Sequence, residues 1–177
     1  MYRIDTLLKQ KRQLFHTGDL ELLWGITDKN TLYTTISRYI KKGILISIHK
    51  GFYSTRPLSG LDNLELGISY LHTYAYVSCE YILAKEGVIF QNINAITLVS
   101  SLSKYFTIGS SDFRTRKLKD IYLYNQVGVT KQGNVFVASM DRAIADMLYF
   151  NSQYHIDTLK LVNWNSVTQM RKEVGYI

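Results

Sequence analysis

The stretch from Thr27 to Tyr53 limits what this chain can fold into more than any other. Leu32, Ile36, Tyr39 and Ile40 recur at helical spacing. Lys29, Asn30, Tyr33, Thr34, Ser37, Arg38 and Lys41 fill the opposite face. The hydroxyl of Thr27 can cap the start, and Gly43 supplies a left-handed residue at the end. Directly after the glycine, Ile44, Ile46 and Ile48 alternate with Leu45, Ser47 and His49, the period of a half-buried strand. Lys50-Gly51 reads as a tight turn and Phe52-Tyr53 as the returning strand. A polar-faced helix followed at once by a basic hairpin is the layout of a winged helix-turn-helix.

The flanking residues fit that layout. Ile4, Leu7, Leu8, Leu14 and Phe15 predict a first amphipathic helix, with Arg3, Lys9, Lys11 and Arg12 on its other side. His16-Thr17-Gly18 breaks it, and Thr17 caps a short second helix from Asp19 to about Trp24. The segment Ser54–Gly60 holds the only proline, Pro57, and marks a domain boundary. The expected fold is therefore α+β: a winged helix-turn-helix over 1–57, then a mixed α/β domain over 58–177.

In the second part, Leu61, Leu64, Ile68 and Leu71 predict a connecting helix over 62–72, and 74–77 reads as a strand. Ser78 caps a helix through Lys85. Strands are expected at 95–100, 104–108, 113–118, 121–124, 128–130 and 134–138, with a hairpin turn at 131–133. Ser139 caps a helix whose buried side is Ala143, Ile144, Met147 and Leu148. Further helices are expected at 155–162 and 166–174.

Charge points to the partner. The formal net charge is +7. Residues 1–57 carry 10 Lys and Arg against 4 Asp and Glu, or +6, whereas 58–177 carry 11 against 10, or +1. A nucleic-acid footprint segregates charge in this way. A helix fits the major groove, so Asn30 can pair with an adenine edge and Arg38 with a guanine edge. Tyr33, Thr34 and Ser37 can bond phosphates or touch a thymine methyl, while Lys29 and Lys41 clamp phosphates. His49 and Lys50 on the wing reach the neighbouring backbone or minor groove. The competing reading is a solvated polar helix face with an ordinary hairpin behind it.

Other chemistry is poorly supported. Gly109-Ser110 followed by Asp120 is similar to a nucleotidyltransferase pattern, but the second acidic position is Tyr122 and Arg114, Arg116, Lys117 and Lys119 intervene. Two carboxylates are needed to hold Mg²⁺ against a triphosphate. His16, His49, His72 and His155 show no ligand spacing, and the lone Cys79 reads as a small buried hydrophobe. No enzymatic activity, metal or cofactor is expected. With one cysteine, no secretory leader pattern at the N-terminus and no long apolar run, a cytoplasmic protein without a membrane partner is expected. The cluster Arg114, Arg116, Lys117 and Lys119 is either a solvated sheet edge or a second anion-binding surface.

Three segments resemble the AbiEi family of type IV antitoxins. The first is Ile40-Lys41-Lys42-Gly43-Ile44-Leu45-Ile46 followed by Lys50-Gly51-Phe52-Tyr53. The second is Tyr76-Val77-Ser78-Cys79-Glu80-Tyr81-Ile82-Leu83. The third is Val137-Ala138-Ser139-Met140-Asp141-Arg142-Ala143-Ile144-Ala145-Asp146-Met147-Leu148-Tyr149, with Asp141 where the family has Glu. The resemblance implies a toxin-antitoxin protein of an abortive-infection operon. Its first domain would bind double-stranded DNA at inverted repeats and repress the operon. Its second would counteract a nucleotidyltransferase toxin without a stable complex and support cooperative self-association on DNA. Arg142 and Asp146 fall on the family motif, and an intrahelical pair explains them equally well. The alternative is a winged-helix transcriptional regulator with a ligand-sensing second domain and no toxin partner.

Overall fold

Arg3–Leu8 forms α1, Leu14–His16 β1, Thr17–Trp24 α2 and Lys29–Lys41 α3. Ile46–His49 and Phe52–Ser54 follow as β2 and β3. The computed structural model describes residues 3–177. β3 lies between β1 and β2 in a three-stranded antiparallel sheet. Leu7, Phe15, Leu20, Trp24, Leu32, Ile36 and Leu45 close one core beneath the helices. Each fully buried aliphatic or aromatic side chain contributes about 1.5–3 kcal/mol of gross hydrophobic stabilisation.

Three sequence expectations here are corrected. Thr17 opens α2 instead of capping it, with His16 at the cap position. Leu14 and Phe15 do not extend the first helix. They pair with Ser54 and Tyr53 in the sheet, because strand pairing overrides a spacing that also fits a helix. The cap of α3 is Asp28, not Thr27: its carboxylate accepts from the Thr31 amide at 2.8 Å and from the Thr31 hydroxyl at 2.6 Å. Those two bonds hold the Asp28 carboxyl below its ordinary pKa. The far end of α3 follows expectation. Gly43 takes φ +69°, which lets the Ile44 amide donate to the Tyr39 carbonyl at 2.9 Å.

The chain divides into two compact units, 1–72 and 73–177. The division falls after His72, not at Pro57. Asn63–Leu71 forms α4 and packs against β1. His16 Nε2 bonds the Ser69 carbonyl at 2.7 Å, and the Tyr70 ring meets Phe52 and His49. The helix expected to connect domains is thus part of the first unit.

The second unit carries β4 (Ala75–Val77), α5 (Glu80–Lys85), β5 (Ala95–Ser100), β6 (Lys104–Ile108), β7 (Ser111–Lys117), α6 (Asp120–Leu123), β8 (Val129–Gln132), β9 (Val135–Ala138), α7 (Met140–Phe150) and α8 (Trp164–Val174). The strand order is β6-β7-β5-β4-β9-β8. The β5/β7 and β4/β9 pairs are parallel, and the other pairs are antiparallel. The fold class is mixed α+β.

Four further expectations fail in this unit. The strand at 121–124 is the single turn α6, in which Leu123 is buried and its amide donates to the Lys119 carbonyl. The helix at 155–162 is absent apart from a 3₁₀ turn at Leu159–Leu161. Asp157 instead accepts the Phe90 amide at 2.7 Å, and the Thr158 amide donates to the Val88 carbonyl. Ser78 does not cap α5, because its hydroxyl donates to Asp146 Oδ2 at 2.7 Å and Cys79 occupies the cap position. The strand bearing Arg114 and Arg116 is not a sheet edge, since β7 lies between β6 and β5. Ser139 caps α7 as expected, accepting the Arg142 amide.

Candidate nucleic-acid interface

α3 presents one face to solvent. Lys29, Asn30, Tyr33, Thr34, Ser37, Arg38 and Lys41 are all exposed, and at 3.6 residues per turn they span about half the helix circumference. The other side is fixed by Leu32, Thr35 and Ile36, which are buried, and by Tyr39 and Ile40 against the same core. The helix Lys29–Lys41 contains no carboxylate. Among the described residues, none of Lys29, Arg38 and Lys41 forms an ion pair with an acid. Tyr33, Thr34, Ser37, Arg38 and Lys41 line a groove of about 490 Å³ along this face.

The neighbouring groove adds two cations that the sequence reading did not assign. Arg3 and Lys42 line about 440 Å³ together with Thr35, Arg38 and Tyr39. Arg3 Nη1 donates to Thr35 Oγ1 at 3.4 Å, which ties α1 to α3. Amphipathic spacing placed Arg3 on an outer face, but nothing local aimed that face at α3. On the hairpin, His49 and Lys50 are exposed and Gly51 takes φ +77° at the turn. The His49 ring is held edge-on to Tyr70 at 5.3 Å, so Lys50 is the freer group at the tip.

Not every basic residue of this unit is available. Arg12 Nη1 pairs with Asp19 Oδ1 at 3.0 Å and its guanidinium covers the Phe15 ring. Redrawing the charge count at His72 gives 10 basic against 6 acidic residues in the first unit, or +4, and 11 against 8 in the second, or +3. Asp62 and Glu65 on the α4 side account for the change. The overall segregation is therefore weaker than the sequence division implied, and the acid-free face of α3 carries more of the argument.

The remaining candidates separate. His16 and His72 stack at 4.2 Å, and burial holds His16 below its ordinary pKa. Among the described residues no group of three His, Cys, Asp or Glu side chains converges as a metal site would require. Gly109 and Ser110 form the tight turn joining β6 to β7, with Gly109 at φ +60°. Asp120 follows the other end of β7, about 20 Å away at 3.3 Å per residue. Cys79 is fully buried, and burial followed by the Asp146 charge pushes its thiol well above the ordinary range. Such a thiol is a poor nucleophile.

Arg142 and Asp146 pair at 2.8 Å, both at 0% exposure. The guanidinium also donates to the carbonyls of Tyr122, Asn125 and Val127 and to the Tyr76 hydroxyl. Asp146 accepts from Tyr76, Ser78 and Tyr176. Burial opposes the Arg142 charge, and Asp146 together with the Tyr76 and Tyr176 side chains more than offsets it, raising the guanidinium pKa. The spacing of this pair is legible in sequence, whereas its burial and its tyrosine partners are not.

No protein-family model matches this sequence, and no curated protein is significantly similar to it. No helix among the described residues is long and apolar enough to cross a membrane.

Proposed function

We propose that the first unit is a winged helix that binds double-stranded DNA, and that the chain is a DNA-binding antitoxin and autorepressor of the AbiEi kind. The observation that carries DNA binding is the exposed, acid-free face of α3, with Lys29, Arg38 and Lys41 free of acidic partners among the described residues and Asn30 beside them. Support for the fold reading comes from the element order helix, strand, helix, helix, strand, strand, with the first strand paired to the last. In such a fold the third helix enters the major groove and the hairpin tip meets the backbone beside it. The antitoxin reading is supported by the three segments that resemble that family, among them the Arg142–Asp146 motif of α7. In this reading the basic face of α3 represses the operon, and the second unit acts against a nucleotidyltransferase toxin.

Two measurements test this. Gel shift with the DNA upstream of the gene, across a salt series, should show sequence-preferring binding whose logarithm falls by about 0.9 per neutralised phosphate per decade of salt. Absence of preference at every salt concentration overturns the repressor reading. Co-expression with a neighbouring nucleotidyltransferase gene should rescue growth, and the Arg38→Ala/Lys41→Ala chain should still rescue it. Failure of the intact chain to rescue overturns the antitoxin reading and leaves DNA binding standing.

A further inference from the structure

The one concentrated basic cluster outside the first unit lies on β6 and β7. Between residues 104 and 119 there are five basic side chains and a single acid, Asp112. Lys104, Tyr105, Arg114, Arg116, Lys117 and Phe150 line a cleft of about 440 Å³. The register sets Tyr105 directly opposite Arg114, so ring and guanidinium share one face of the sheet. Opposed side chains of an antiparallel pair start from Cβ atoms about 4.5–5.5 Å apart.

The charges in this cleft are not equivalent. Arg116 is bound to Glu80 and lies 5.6 Å from the Phe150 ring centre. It shapes the floor and contributes little net charge. Arg114 and Lys117 are exposed and have no carboxylate partner among the described residues. Asp112 is engaged on the sheet itself, accepting from Thr107 Oγ1 at 2.6 Å. Tyr105 itself keeps 60% of its surface exposed.

Unpaired cations attract phosphate. An exposed aromatic ring among them, opposite Arg114 on the sheet, offers a flat apolar face. A free phosphate or an acidic peptide uses the cations and leaves the ring idle. A duplex keeps its bases stacked inside and also has nothing to place on the ring. Single-stranded nucleic acid uses both, with phosphates on the cations and an unpaired base stacked on the aromatic. We propose that this cleft of the second unit binds an unpaired stretch of nucleic acid, with phosphates on Arg114 and Lys117 and a base stacked on Tyr105. The site belongs to the second unit and does not depend on the duplex-binding reading of the first.

Fluorescence anisotropy of the full chain tests it, using a labelled unstructured 12-nucleotide RNA, the same sequence as single-stranded DNA, and the matching DNA duplex as probes. Arg114→Ala/Lys117→Ala should weaken single-strand binding at least tenfold. Tyr105→Ala should weaken it by about five- to a hundredfold, the range for one stacked base, and Tyr105→Phe should restore it. The Arg38→Ala/Lys41→Ala chain should retain single-strand binding and lose duplex binding. A preference for RNA over DNA would assign the strand type. The proposal is overturned if neither single strand binds, if Tyr105→Ala matches the unsubstituted chain, or if single-strand binding falls with Arg38→Ala/Lys41→Ala instead. All the substituted positions are exposed, Arg116 is left intact, and thermal melts of each variant confirm folding.

Discussion

Arg142 and Asp146 form an ion pair one turn apart on α7, with Nε to Oδ1 at 2.8 Å and neither side chain reaching solvent. A surface pair at this spacing is worth only about 0.2–0.5 kcal/mol. Burial changes the arithmetic, because removing one partner leaves an uncompensated charge. Arg142→Leu should therefore cost about 3–5 kcal/mol of stability. It also strands the carbonyls of Tyr122, Asn125 and Val127. Arg142→Leu/Asp146→Leu should cost less than the sum of the two single changes. Urea unfolding of the three variants measures the coupling directly.

Gly128 shows how closely the chain is packed around that pair. A Cβ there would sit 2.8 Å from Arg142 Cβ and 2.7 Å from Met170 Cε, and the residue takes φ +71°. The methionine end can move, but the Arg142 backbone-anchored Cβ cannot. Overpacking costs about 1–3 kcal/mol and a left-handed non-glycine residue about 1–2 kcal/mol more. Gly128→Ala should lower the melting temperature of the second unit, and adding Met170→Ala should recover only the part due to the methionine.

The tyrosines of the same network give it an alkaline limit. Burial, then the Asp146 charge, raises both Tyr76 and Tyr176 above the ordinary tyrosine pKa. An unfolded tyrosine ionises near pH 10, about where its folded counterpart remains protonated. The sign follows: the contribution is complete below about pH 10 and is lost as pH rises beyond it, by about 1.4 kcal/mol per pH unit for each such tyrosine. Unfolding free energies from urea series between about pH 9 and pH 11 should stay level up to about pH 10 and fall towards that slope above it. Tyr76→Phe should flatten it by one tyrosine's share.

How much of this was readable beforehand depended on the range of the interaction. The bounds of β5 and β6 and the glycine end of α3 follow from local period and local caps, and those expectations held. Leu14 and Phe15 were misread as helix because their partners, Ser54 and Tyr53, lie far along the chain and leave no local mark. The outer face of α3 was assigned apart from Thr31, since burying Leu32 and Ile36 fixes which side chains face out. Arg142 and Asp146 were found by spacing, yet their burial depends on Tyr76 and Tyr176 arriving from other elements. The basic cluster on β7 was found by composition. Whether it was an edge depended on sheet order, which periodicity does not encode.

The roles of individual cations on α3 can be separated by salt. Lys41 carries an exposed ammonium with no acidic partner among the described residues. As a phosphate clamp, its loss should weaken all sequences alike and reduce the salt slope by about one. Arg38 borders both grooves of the face and presents a planar fork. If it reads a guanine, Arg38→Ala should cost about 1–3 kcal/mol and relax preference at one base pair, with less effect on the slope. Arg12→Ala is the control, because that guanidinium is already tied to Asp19 at 3.0 Å. Quantitative gel shifts on operator and scrambled duplexes across a salt series check all three. Equal losses for Arg12→Ala and Arg38→Ala would mean that DNA responds only to the overall charge of the unit, and would remove the α3 face as the reader.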